Sequence, residues 1–390
     1  MVVRFRKARR ITRLKIRNWR NFREAEVELA GRAFLIGPNA SGKSNLLDAI
    51  RFLRDIAKPI GGGLASAIAD RGGLSALRSL YARGHRTEVV IEVDIGDDDT
   101  PAEWSYFLSF TKAGKEHFPT IFNEVVRENG SVVAQQERAG SQDGSFFSET
   151  LLEQAKQNTK FRPVYEFFGS INYLHVVPQI VRDPRRALER GDDPFGGNLL
   201  KSINDVALKS RDSRLKKIAE ALKIAVPQFS DLRLKLDSSG KPHLEAGFSH
   251  WRPRLSYQTE EVFSDGTLRL LGFLWAIGDR RGPLLLEEPE LSLNDHIARQ
   301  LPQMIARMQR HSGRQVLMTT HSEALISEGV GLHEVHRLIP SGNGTTIETA
   351  SSNSIIVKQV NAGFTVGESA MPLARPKGVE QLGLFDFVDG

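Results

Sequence analysis

The chain contains no cysteine. That excludes a disulfide framework and any thiolate-bound metal, and it fits a reducing compartment, so a cytoplasmic location is expected. Long apolar runs are missing as well. The longest, around Leu270 to Ile277, is a core helix face and far short of a bilayer span, so no membrane partner is expected. No segment keeps an a/d heptad through several repeats, which excludes a long coiled coil. No acidic residue precedes Glu24, and arginine is frequent there, so a transit peptide has to be weighed. Residues Ile11 to Leu29 read as paired strands feeding the next motif, so their removal would cost core structure, and that reading is rejected.

What is present describes a soluble globular chain. At 390 residues, 40% apolar and 26% charged, it has length for two or three lobes. The net charge of +6 points to a polyanionic partner. Much of the excess sits in Arg4, Arg6, Lys7, Arg9, Arg10, Arg13, Lys15, Arg17, Arg20 and Arg23. Such a run is either a DNA-tracking surface or a solvated face.

Gly37-Pro38-Asn39-Ala40-Ser41-Gly42-Lys43-Ser44 follows the apolar run Ala33 to Ile36 and opens an amphipathic stretch containing Leu46, Leu47, Ile50 and Leu53. Strand, glycine loop and helix in that order, with this spacing, form a phosphate-binding loop. Backbone N–H groups of Gly37, Asn39 and Gly42, with Pro38 in the turn, and the helix N-terminus would cradle phosphates. Lys43 would reach the β- and γ-phosphates, and Ser44 would hold Mg²⁺. ATP and Mg²⁺ are therefore the expected ligands.

Pro283-Leu284-Leu285-Leu286-Glu287-Glu288-Pro289-Glu290 is a buried strand ending in carboxylates, the pattern of a Walker B strand. Glu287 would sit under Mg²⁺, and Glu288 would orient the attacking water and take its proton. Phe263-Ser264-Asp265-Gly266-Thr267 stands about twenty residues earlier, before the apolar helix from Leu270. Its serine is a helix cap or part of a nucleotide signature. The strand Arg314 to Thr320 ends at His321, a candidate switch for γ-phosphate. Gln179, in Val177-Pro178-Gln179 after the strand Ile171 to Val177, is a candidate Q-loop glutamine touching Mg²⁺ and the lytic water.

Between these motifs, strands are expected over Thr87 to Val93 and Trp104 to Phe110, with a hairpin turning at Asn129-Gly130. Together they make an antiparallel block beside the nucleotide core. The acids Glu92, Asp94, Asp97, Asp98 and Asp99 read as a strand end running into a turn rather than a metal site. Gly61 to Gly63 and Gly72-Gly73 read as a mobile loop. Helices are expected over Glu149 to Gly169 and Leu199 to Ala225, and a hairpin over Leu232 to Phe248. The expected units are 1–180, with the phosphate loop and β block; 181–260, a helical and hairpin insertion; 261–362, with signature, Walker B and switch histidine; and 363–390, a flexible tail.

Four motifs in this order resemble the ABC-type ATPase heads of the RecF, SMC and OLD group. Leu14 to Phe22 looks like that group's N-terminal strand. Phe-Ser-Asp-Gly-Thr and Glu-Glu-Pro-Glu look like its bacterial stand-alone, OLD-like branch. The resemblance implies an α/β P-loop NTPase of ABC-ATPase type, with a mixed central sheet, an antiparallel β subdomain and a helical insertion. It also implies a homodimer closed on two ATP molecules. Lys43, Ser44, Glu287 and Glu288 of one subunit would face Ser264 and Gly266 of the other.

Several positions depart from the group. Glu287 stands where most relatives carry aspartate. An SMC protein would insert hundreds of coiled-coil residues where about eighty separate Gln179 from Phe263. Leu291-Ser292-Leu293-Asn294-Asp295 lacks the His-Pro common in the dimer-contact loop. About seventy residues follow His321, too few for an OLD-type nuclease domain, so any nuclease should be a separate effector subunit. Gln381-Leu382-Gly383-Leu384-Phe385 resembles the pentapeptide that docks on sliding clamps, with Gln381, Leu384 and Phe385 as anchors. The implied function is an ATP-hydrolysing dimeric switch acting on DNA in bacterial repair or anti-phage defence. The alternative is a regulatory ATPase that controls a bound toxin or nuclease without direct DNA contact.

Overall fold

The computed structural model describes residues 8–82, 88–112, 119–137, 148–154, 159–183, 193, 195–251, 254–279, 282–376 and 378–384. Strands β1 (Arg10–Trp19) and β2 (Phe22–Glu28) form the first hairpin, and β3 (Arg32–Ile36) leads into the phosphate loop and the helix Lys43–Ile56. The antiparallel block follows as β4 (Val89–Gly96), β5 (Trp104–Lys112), β6 (Pro119–Glu128) and β7 (Ser131–Glu137). With the first hairpin it builds one antiparallel sheet of order β2-β1-β4-β5-β6-β7. Asn129 and Gly130 have φ of 48° and 82°, the paired positive angles that the tight β6–β7 turn demands.

A second sheet carries the motifs. Its further strands are β8 (Asn172–Leu174), then, after the insertion, β12 (Leu284–Glu287), β13 (Val316–Thr319), β14 (Val335–Ser341) and β15 (Gly344–Thr349); the order is β15-β14-β3-β13-β12-β8. All neighbours are parallel except β14 and β15. Period-two alternation divides its core. Leu35, Leu285 and Leu317 face the phosphate-loop helix and the antiparallel sheet. Phe34, Leu284, Leu286, Val316 and Met318 face the opposite layer, which includes the helix Asp265–Gly278 and Ile305 of the helix Leu301–Ser312. Burial on both faces explains why β12 reads as unbroken leucine.

The insertion stacks the helices Leu199–Asn204 and Leu208–Ala225 beside the small sheet β9 (Phe229–Leu236), β10 (Pro242–Phe248) and β11 (Ser256–Thr259). Gly240, at φ 82°, makes its hairpin turn. Among the described residues no helix is long and apolar enough to cross a membrane.

Three expectations fail. Gly63 and Gly73 do not belong to an open loop; at φ 108° and 89° they start the short helices Leu64–Ala69 and Leu74–Leu77. The strand expected over Ile171 to Val177 is only three residues long and half-buried, because it lies at the sheet edge with β12 on one side alone. The segment after Gly363 is not loose: Val366, Ala370 and Ala374 are buried, and a Thr365–Glu368 capping box starts its helix Val366–Ala370. Val366, Ala370 and Ala374 are enough to anchor it, although Phe364 and Leu373 stay exposed. Gln381 and Leu384 lie in a 3₁₀ segment, Val379–Leu384, with Leu384 exposed. Phe385 lies outside the described residues.

Candidate nucleotide-binding site

Sheet register gathers the motifs on one edge. Glu287 lies opposite Thr319, and Thr319 opposite Leu35, while Leu286 lies opposite Leu174. The residues that follow these positions are the phosphate loop, Glu288, His321 and His175. The carboxyl ends of parallel strands are where such sheets bind ligands.

Local backbone shapes the loop. Ala40 and Gly42 hold φ of 59° and 100°, which turns successive N–H groups to one side. No side chain caps the helix that Gly42 begins, so its first N–H groups keep their donors for a ligand. A Cβ on Gly42 would collide with the Asn21 amide. That amide braces the loop from behind: Asn21 Nδ2 donates to Ser41 O at 2.8 Å and to Thr345 Oγ1 at 2.7 Å, and Asn45 Nδ2 donates to Asn21 Oδ1 at 2.7 Å. Thr345 Oγ1 also donates to Ser41 O at 2.9 Å. Lys43 Nζ curls into the loop and donates to Gly37 O (2.9 Å) and Pro38 O (3.0 Å). Burial pulls its pKa down, opposed by the Glu288, Glu287 and Glu290 carboxylates.

The two Walker B carboxylates occupy different environments. Burial works to raise the Glu287 carboxyl, but the neighbouring His175, Tyr173 and Ser44 side chains outweigh it and hold the group below the usual range. His175 Nδ1 lies 3.2 Å from Glu287 Oε2, and Glu287 Oε1 is buried with no hydrogen-bond partner. With Ser44 acting on the same carboxylate, that orphaned oxygen gives a hard-oxygen donor set suited to Mg²⁺. Glu288 is held at φ 42°, a left-handed conformation costing about 1–3 kcal/mol for a side-chain residue. Its N–H donates to Thr319 O (3.1 Å), and its Oε1 lies 3.3 Å from His321 Nε2. The His321 contact lowers the Glu288 pKa, against partial burial.

Glu290, quoted in the motif without a role, organises the switch. Its Oε1 accepts from Thr320 Oγ1 at 2.5 Å and from His321 N at 3.2 Å, fixing the backbone that carries the histidine. Burial raises its pKa. His175 also escaped the sequence reading, because β8 stops at Leu174 rather than Val177 and so delivers a residue four positions earlier. Gln179 is exposed on the short helix Pro178–Arg182 and is not part of the cluster around Glu287.

Ser264 caps the helix Asp265–Gly278: its Oγ accepts from Thr267 N at 3.2 Å. A Cβ on Gly266 would meet Ser292 O at 2.5 Å, so glycine there lets the loop after Walker B close on the helix start. Ser264 is exposed.

A family model described as "AAA domain, putative AbiEii toxin, Type IV TA system" matches residues 32–327. The chain belongs to this family. Among solved structures, an SMC head bound to the C-terminal winged-helix domain of ScpA is similar over 87% of this chain and 97% of its own, at 14% identity and TM-score 0.53. A Pyrococcus furiosus SMC head with an extended coiled coil, bound to the C-terminal domain of ScpA, covers 91% of this chain and 100% of its own, at 12% identity and TM-score 0.53. These likenesses establish the fold of this family member as that of an ABC-type ATPase head. No protein of curated function matches the sequence.

Proposed function

We propose that this AAA-family chain is a Mg²⁺-dependent ATPase whose heads pair over ATP and act on duplex DNA in bacterial repair or defence, with a separate effector subunit. The observation that carries the reading is the pair Glu287–Glu288: adjacent carboxylates, one beside Ser44 with an orphaned oxygen, the other strained into contact with His321. Glu287 and Ser44 would hold Mg²⁺, which when bound neutralises phosphate charge. Gln179 could join them only after a movement of its helix. Lys43 and the N–H groups of Gly37, Asn39 and Gly42, with Pro38 shaping the turn, bind the phosphates. Glu288 stays ionised at neutral pH, accepts a hydrogen bond from water and takes its proton as the water oxygen bonds to the γ-phosphorus and ADP leaves. His321 holds Glu288 and senses the γ-phosphate. The exposed Ser264 and the Gly266 N–H would reach the partner subunit's nucleotide.

Steady-state ATP turnover with and without duplex DNA tests this. Glu288→Gln should lower kcat at least 100-fold, in the range of losing a general base, while ATP still drives dimerisation in light scattering. A variant that turns over normally contradicts the role of Glu288. Turnover indifferent to DNA would favour the second reading, a regulator of a bound toxin. That reading draws on the family's description and on the ion-paired state of the basic N-terminal strand. Docking on a sliding clamp through Gln381, Leu384 and Phe385 is a separate proposal. It ends if the tail peptide shows no clamp binding by fluorescence anisotropy.

A further inference from the structure

The C-terminal segment that the sequence assigned to a loose tail reaches the phosphate loop. A cavity of about 360 Å³ is walled by Pro38 and Asn39 of the loop, by His321, and by Met371, Ala374 and Arg375. The segment is fixed there. Val366, Ala370 and Ala374 are buried, Gly367 packs so tightly that a Cβ would come within 2.7 Å of Glu323 O, and Leu373 O accepts from Arg337 at 3.0 Å. Arg375 follows these anchors directly. It is exposed, and among the described residues it has no ion-pair partner, although Glu323 lines the same cavity. Arg375 also lies beyond residues 32–327, the span matched by the family model.

We infer that Arg375 is a phosphate-contacting residue of the nucleotide site, taking the terminal phosphate of a triphosphate bound in the same subunit. The inference rests on the reading that the phosphate loop binds ATP. Three features favour a phosphate over other anions. The cavity borders Gly37, Pro38 and Asn39 of the phosphate loop, His321 at its wall is the expected γ-phosphate sensor, and a planar guanidinium matches phosphate oxygens in pairs. The buried Val366, Ala370 and Ala374 fix the chain up to Arg375, whose exposed side chain is free to turn inward. Arg375 thereby adds a second cation to the one that Lys43 brings to the phosphates.

The test is a binding comparison on the full chain, with AMP-PNP and ADP as probes in isothermal titration. Arg375→Ala should weaken AMP-PNP by about tenfold or more, the scale of a charged hydrogen bond, and ADP by less than about twofold. Arg375→Lys, which keeps the charge, should fall between. Equal losses for both nucleotides, no loss for either, or a lysine variant as weak as alanine would overturn the inference. Wild-type chain that binds neither nucleotide would instead overturn the ATP reading itself. Unchanged melting of Arg375→Ala without nucleotide confirms that its exposed side chain is not needed for folding.

Discussion

Along β1, the side chains of Arg13, Lys15 and Arg17 lie on a sheet that supplies its own anions. Along the helix Leu208–Ala225, Lys209, Lys216, Lys217 and Lys223 are exposed and have no ion-pair partner among the described residues. Arg13 alone meets Glu26 at 2.6 Å and Glu92 and Asp94 at 2.9 Å each. Lys15 reaches Glu24 and Glu26, Arg17 reaches Glu88, Arg20 reaches Asp48, Arg10 reaches Asp98, and Arg9 reaches Glu103. In the sequence the N-terminal arginines read equally as a DNA-tracking surface or as a solvated face. In the fold Arg9, Arg10, Arg13, Lys15, Arg17 and Arg20 are ion-paired, Arg4, Arg6 and Lys7 lie outside the described residues, and the exposed lysines of the helix Leu208–Ala225 are left without an ion-pair partner among the described residues. A basic stretch attracts a polyanion only where the fold has not already neutralised it.

That contrast can be broken experimentally. The largest effect is expected in the helix. Changing Lys209, Lys216, Lys217 and Lys223 together to Gln should weaken duplex DNA binding on the order of 100-fold near 0.1 M salt and flatten the log–log salt slope by roughly 3. Anisotropy across a salt series reads both, and unchanged binding would remove this helix from the DNA surface.

The antiparallel sheet offers the next test, of pairing against burial. Glu124 on β6 accepts from Tyr106, Gln136 and the Leu151 N–H, has no ion-pair partner among the described residues, and is pushed by burial up to about 7. Its folded pKa exceeds the unfolded one, so the folded state holds the extra proton. Stability should be greatest at and below about pH 4.5 and fall by about 2–3 kcal/mol as pH rises through 7. Urea unfolding across that window should show the slope in wild type and lose it in Glu124→Gln. Glu26 has the opposite sign: its hydrogen bond to Arg13 lowers the pKa, so its contribution holds above the unfolded pKa and fades as pH falls through the folded one.

The smallest effect is expected at Arg13. Arg13→Ala strands three carboxylates at a partly exposed site and should cost about 1–2 kcal/mol of unfolding free energy. DNA affinity should stay within about twofold of wild type. A large loss of binding with intact stability would return the DNA surface to β1.

Much of the site was legible because phosphate-loop chemistry demands fixed spacings: Gly37 to Ser44, the leucines of β12 and the strand before His321 all stand where the motifs put them. The Asn129-Gly130 turn was legible for a similar reason, since few residues tolerate its angles. Partners set by register were not. Nothing local announces that Glu92 and Asp94 cross to Arg13, that β8 stops at Leu174 and brings His175 to Glu287, or that Glu290 reaches Thr320. The tail was misread because Val366, Ala370 and Ala374 are too few to raise mean hydropathy, yet are enough to bury one side of the segment.

The clasp behind the phosphate loop has a consequence for biosynthesis. Thr345 closes it with three bonds: its N–H to Asn21 O at 2.9 Å, and its hydroxyl to Ser41 O and the Asn21 amide. A ribosome makes the loop early and its brace some three hundred residues later. At about 5–20 residues per second, the nascent loop waits at least about fifteen seconds for Thr345. A growing chain therefore carries an unbraced phosphate loop, and nucleotide affinity should mature abruptly when the β14–β15 hairpin emerges, well after the motif itself has been translated.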